Sequence, residues 1–152
     1  MFNIVLLEPE IPHNAGAAGR LALATGAVLH LVKPLGFSLD DKYVRRTGLD
    51  YWRNVDVRIW ESFAELEAAM EGKGMWFLST KAGQRLWEAT FKPGDCLVFG
   101  KETKGLPEEL VKEAGDRALR IPMNPGGTRS LNLSTAVGIV LYEALRQQAP
   151  SW

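Results

Sequence analysis

Residues 118–134, ALRIPMNPGGTRSLNLS, contain a short apolar run from Ala118 to Ile121 and a loop with Pro122 and Gly126-Gly127. Ser130-Leu131-Asn132-Leu133-Ser134 then opens an apolar helix. A strand that passes through small and polar residues into a helix N-terminus gathers backbone N–H donors and short side chains at one point. Two other stretches share this character. Pro12-His13-Asn14-Ala15-Gly16 to Arg20 follows the apolar run Phe2 to Leu7. Phe99-Gly100-Lys101-Glu102-Thr103-Lys104-Gly105-Leu106-Pro107 follows the run from Cys96. Loops of this kind, each placed after an apolar strand, converge at the carboxyl edge of a parallel sheet, where open α/β folds hold their ligands.

Outward from these loops the chain alternates strand and helix patterns. Further strands are expected at Val28 to Val32, Val57 to Trp60 and Met75 to Ser79, the last before Cys96 to Phe99 and Ala118 to Ile121. Asn14 is expected to cap a helix that reaches Thr25 and stops at Gly26. A short helix is expected over Leu39 to Thr47. Ser62 with Glu65 forms a capping box for a helix to about Met70, and Pro107-Glu108-Glu109 starts one to about Ala114. From Asn132, the stripe Leu133, Ala136, Val137, Val140, Leu141, Ala144 and Leu145 predicts a helix to about Gln147. The fold class is α/β: an open, mostly parallel sheet with helices on both faces. The 152 residues fit a single domain, 1–152, with no linker or repeat.

The chain has 18 Lys and Arg against 18 Asp and Glu, so it lacks the strongly basic balance of a stand-alone nucleic-acid domain. Basic residues still predominate in the first third, where Arg20, Lys33, Arg45, Arg46 and Arg53 outnumber Asp40, Asp41 and Asp50. A local patch of that kind can dock phosphates, and a solvated mixed-charge face explains it as well. No apolar run reaches the ~20 residues of a membrane span, and the N-terminus lacks a signal-peptide core, so a cytoplasmic protein is expected. The one cysteine, Cys96, lies in an apolar strand and reads as a small core residue.

Several chemistries lack support. Gly100 to Gly105 has the glycine spacing of a phosphate loop, but Leu106-Pro107 stands where nucleotide hydrolysis needs Lys and Ser or Thr. His13 and His30 fall on separate elements, so no metal centre is expected; His30, inside an apolar strand, reads as a core or edge residue. There is no Gly-x-Ser-x-Gly elbow. What remains is a site of backbone loops, amides and arginines, which suits transfer of an already activated group.

Asn14 to Arg20, Phe99 to Pro107, and Ile121-Pro122-Met123 with Ser130 to Ser134 resemble the three motifs of the SPOUT class of S-adenosylmethionine-dependent RNA 2'-O-methyltransferases. Glu8-Pro9-Glu10-Ile11-Pro12, Pro34-Leu35-Gly36-Phe37 with Asp40-Asp41-Lys42, and Gly48-Leu49-Asp50-Tyr51 resemble the minimal branch of that class, which modifies the transfer RNA wobble nucleotide. The resemblance spans essentially the whole chain. It implies a C-terminal trefoil knot and a homodimer acting on cytidine or uridine 34 in the anticodon stem-loop. Ribosomal RNA as substrate, or a non-catalytic nucleotide- or RNA-binding module, are the alternatives.

The resemblance also assigns residues. It places S-adenosylmethionine among Leu78, Thr80, Gly100, Gly105, Ile121, Met123, Ser130 and Leu131. An adenine ring needs an apolar slot with a few backbone hydrogen bonds, and Gly100 and Gly105 are expected to let backbone approach the ligand. Asn14, Arg20, Glu102, Ser130 and Asn132 match catalytic positions, and Arg20, Arg45, Arg46 and Arg129 are candidate RNA contacts. Helix capping is the competing role for Asn14, Ser130 and Asn132, and Glu102 has the rival role of balancing Lys101 and Lys104. An arginine with a pKa above about 12 is a poor general base, so Arg20 is expected to stabilise phosphate and developing alkoxide. In a composite dimer it would serve the partner's cofactor. Ala15, Ala18 and Ala22, with the helix from Leu133 to Leu145, are the expected surfaces for pairing. The chain departs from the pattern of the branch it resembles at His13, where Gln is expected, and at Gly19, where a larger apolar residue is expected.

Overall fold

The computed structural model describes residues 1–40 and 50–152. Its strands are β1 (Asn3–Leu7), β2 (Val28–Val32), β3 (Val57–Trp60), β4 (Met75–Leu78), β5 (Gln84–Arg85), β6 (Cys96–Phe99) and β7 (Ala118–Arg120). Its helices are α1 (Pro12–Thr25), α2 (Phe63–Ala69), α3 (Glu108–Ala114) and α4 (Leu133–Gln148). Arg45, Arg46 and all but the first two residues of the helix expected over 39–47 lie outside the described residues. The two-residue strand β5, absent from the sequence expectations, pairs with β7 at a sheet edge. Two residues are too few to show any hydrophobic period.

The strands run in the order β3-β2-β1-β6-β4-β7-β5, and every pairing between them is parallel. β1, β2 and β6 are buried along their full length, as strands covered on both faces must be. Alternate side chains divide between two cores. Ile4, Leu6, Leu29, Leu31, Leu97 and Phe99 pack beneath α1 and α4. Val5, Leu7, Val32, Phe77 and Val98 meet Leu66 and Met70 at α2 and the apolar side of α3 on the other face. Cys96 is fully buried in this second core, and burial pushes its thiol up to about 11. The stripe of α4 points inward as its period predicts, with Val137, Val140, Leu141 and Ala144 fully buried.

Two expectations need correction. Asn14 does not cap α1, because the helix begins two residues earlier at Pro12, and Ile11 in the cap position offers no side-chain bond. Ala15, Ala18 and Ala22 are not a docking surface, since each is at least 99% buried against the chain's own core. Small residues there allow α1 to sit close on the sheet and on α4. Gly19 follows the same logic, as a Cβ at that position would lie 2.6 Å from Cζ3 of Trp52. Trp52 occupies the space a larger residue would need. Gly26 stops α1 in the left-handed conformation (φ 77°), as expected, and Ser62 caps α2 by accepting from the Glu65 N–H at 3.2 Å, the first half of the expected capping box and the only half formed among the described residues.

Between β1 and β6 the strand order reverses. β2 and β3 lie to one side of this point, and β4, β7 and β5 to the other. The loops leaving β1 and β6 therefore face each other across a crevice at the carboxyl edge.

Candidate active site

A cavity of about 630 Å³ opens at that edge. Its walls come from the residues after β4, β6 and β7, the start of α1 and the start of α4. Every cofactor position expected from sequence lies on the wall: Leu78, Thr80, Gly100, Gly105, Ile121, Met123, Ser130 and Leu131. Asn14, Glu102 and Asn132 line it too. Arg20 and Arg129 do not; both side chains are exposed elsewhere. The size suits a ligand of a few hundred daltons, and Leu78, Ile121, Met123 and Leu131 provide apolar surface beside loop backbone.

Three of the expected catalytic residues form one hydrogen-bonded chain. Glu102 accepts from the backbone N–H of Glu10 through Oε1 and of Ile11 through Oε2, each at 2.8 Å. Asn14 Nδ2 donates to Glu102 Oε2 at 3.1 Å, and Asn132 Nδ2 donates to Asn14 Oδ1 at 3.1 Å. Asn132 Oδ1 in turn accepts from the Thr135 N–H at 3.2 Å and from the Ser134 hydroxyl at 2.6 Å, capping α4. Asn132 thus fills both the capping role and a place in the site. Glu102 does not pair with Lys101 or Lys104: its oxygens take the N–H groups of Glu10 and Ile11, just ahead of α1, and the Ile11 bond is the one a capping-box Glu within the helix would otherwise make. Lys101 pairs instead with Glu8, Nζ to Oε1 at 3.8 Å.

The link is reciprocal. Glu10 Oε1 accepts from both the N–H (3.0 Å) and the hydroxyl (2.8 Å) of Thr103. These two donors hold the Glu10 carboxyl below the ordinary carboxylate range. Glu10 and Thr103 lie in stretches that carry the resemblance but neither was a candidate site residue, because nothing in one sequence pairs residues 93 positions apart. Gly100 also has a role other than the expected one. A Cβ there would overlap the backbone of Gly105 and Leu106, because the loop folds back on itself with the Gly105 N–H donating to the Lys101 carbonyl at 2.8 Å. Gly100 is needed for loop closure, and Gly105 (φ 69°) for its turn.

Arg20, on α1, places its guanidinium carbon 5.3 Å from the centre of the Tyr51 ring, whose hydroxyl donates to the Gly16 carbonyl at 2.7 Å. The arginine is held by stacking and keeps its fork of N–H donors for another partner. Among the described residues, no group of three or more His, Cys, Asp or Glu is placed to hold a metal ion, and no helix is long and apolar enough to cross a membrane.

The family model described as SpoU rRNA Methylase matches residues 1–142. The tRNA (cytidine(34)-2'-O)-methyltransferase of Methylovorus glucosotrophus is 48% identical over 148 residues, covering 97% of this chain and 96% of the relative. A solved structure concerned with 2-OH methylation of C/U34 on tRNA is 47% identical with a TM-score of 0.90, covering 98% of this chain and 97% of its own. The methyltransferase AviRb of Streptomyces viridochromogenes, solved with its cofactor AdoMet, is 25% identical with a TM-score of 0.81, covering 99% of this chain and 58% of its own.

Proposed function

The chain belongs to the SpoU rRNA methylase family, and from that premise we propose that it methylates the ribose 2'-oxygen of nucleotide 34, cytidine or uridine, in transfer RNA, with S-adenosylmethionine as donor. The observation that carries this reading is the near full-length kinship, at 48% identity, to an enzyme of that name. The cavity fits it. Leu78, Ile121 and Leu131 would hold the adenine, with Gly100, Gly105, Thr80, Met123 and Ser130 around the rest. When bound, S-adenosylmethionine supplies a methyl group already activated by a positive sulfur. The chain has then to place the ribose in line, exclude water and stabilise the oxygen as its proton passes to a neighbouring group or the RNA phosphate, with S-adenosylhomocysteine as the leaving product.

Arg20 carries the charge for that last task, as a stabiliser of RNA phosphate and alkoxide. Its position outside its own cavity supports a composite site, in which Arg20 of one copy serves the cofactor of the other. Exposed apolar side chains on the two packed helices, Leu23 on α1 with Ile139 and Tyr142 on α4, are the surface for that pairing. Arg45, Arg46 and Arg129 would meet the anticodon stem-loop, and the reaction belongs in the cytoplasm. We read the whole as a single domain with a C-terminal trefoil knot. Support comes from the end of α4, where Gln147 and Gln148 bond to the backbone of Ala89 and Phe91, just before β6.

The test is methyl transfer from labelled donor to total RNA, followed by mapping of the modified nucleotide. Label on the ribose of nucleotide 34 of transfer RNA is expected. Label confined to ribosomal RNA, or none, would overturn the assignment.

A further inference from the structure

The crevice between β1 and β6 is bridged by two carboxylates that reach in opposite directions. Glu102 crosses to the backbone before α1, and Glu10 crosses back to Thr103 at the tip of the loop 101–105. Glu10 itself is fixed from behind. Gly36 donates its N–H to the Pro9 carbonyl at 2.9 Å, and a Cβ on Gly36 would lie 2.6 Å from the Glu10 carbonyl oxygen. Thr103 and its neighbours Glu102 and Lys104 line the cavity; Glu10 does not. The loop closes on itself only through the Lys101 and Gly105 backbones, so its tip depends on side chains from elsewhere for its position.

Resting on the cofactor reading above, we propose that Glu10 is a positioning residue for cofactor binding: through Thr103 it holds the tip of loop 101–105 in the form that makes the cavity wall. Both bonds to Thr103 end on one oxygen, Oε1, so the requirement is for an acceptor at that point. A neutral amide oxygen at the same reach meets it. A carboxylate one methylene shorter does not.

Calorimetry with S-adenosylhomocysteine tests this without turnover. Glu10→Ala should weaken binding by about tenfold, and raise KM for the methyl donor similarly, with kcat at saturating donor within about twofold, because the chain from Glu102 through Asn14 to Asn132 does not pass through the Glu10 side chain. Glu10→Gln should restore binding to within about twofold of wild type, while Glu10→Asp stays weak. Thr103→Val, which removes the hydroxyl donor, should weaken wild type and add little to Glu10→Ala, as expected when two substitutions break one interaction. Wild-type affinity in Glu10→Ala, or a Glu10→Gln variant as weak as Glu10→Ala, would overturn the inference. So would a loss of affinity that merely follows a fall in melting temperature. A wild-type protein that binds no S-adenosylhomocysteine would instead overturn the cofactor reading itself.

Discussion

His30 carries its proton in a known place. The Trp60 indole donates to Nδ1 at 3.0 Å, so Nε2 bears the hydrogen and donates to Asn3 Oδ1 at 2.8 Å. Asn3 is itself oriented by donating Nδ2 to the Gly94 carbonyl at 3.0 Å. The ring is fully buried and neutral; burial, with Arg58 adding to it, lowers its pKa from 6.5 to about 4. Well above pH 6.5 the ring is uncharged in both folded and unfolded chains and has no effect on pH dependence. As pH falls towards 4 the unfolded chain takes up a proton that the folded one refuses, so stability falls through this window. At pH 5 the loss is about 2 kcal/mol. Urea unfolding at pH 7 and pH 5 should show it, with His30→Gln less stable at pH 7 but nearly flat between the two. Equal wild-type stability at both values would contradict the buried neutral ring.

At the scale of elements, every strand but β5 was legible because it lies in an apolar-rich run long enough to stand out, whereas β5 is two polar residues. α4 announced itself through its 3.6-residue stripe. The start of α1 was misread for a physical reason: the N–H groups of Glu10 and Ile11, just ahead of it, are taken by Glu102, 91 positions from Ile11, and capping rules read only neighbours. The composition of the cavity wall was visible through resemblance, whereas the Glu10 to Thr103 link and the inward burial of Ala15, Ala18 and Ala22 needed coordinates. The loop 100–106 yields its own prediction. Gly100→Ala puts a methyl group into the Gly105 and Leu106 backbone, so the loop must open. Binding of S-adenosylhomocysteine should fall by more than about tenfold and the melting temperature should drop, as overpacking costs ~1–3 kcal/mol. Gly83→Ala, where a Cβ meets nothing within 4 Å, should leave both unchanged. Normal affinity in Gly100→Ala would show that the closed loop is not required.

For the whole molecule, the proposed composite dimer makes a prediction that no property of one copy can mimic. Arg20→Ala and Met123→Arg, the second placing a long cation in the cofactor slot, should each be inactive alone. In a mixed dimer one of the two sites takes Met123 from one chain and Arg20 from the other, both intact. Co-expressed variants that pair at random should therefore regain about a quarter of wild-type activity. A mixture no more active than its parts would place Arg20 in the service of its own chain. The bond between Asn14 and Asn132 joins residues 118 positions apart. At a synthesis rate of ~5–20 residues per second, roughly 6–24 s separate the emergence of one partner from the emergence of the other. A ribosome halted late in that interval holds a chain with α1 made and the candidate site still missing a member. Such a nascent chain presents α1 without the amide that orients Asn14, so the candidate site is completed only once the start of α4 has been made.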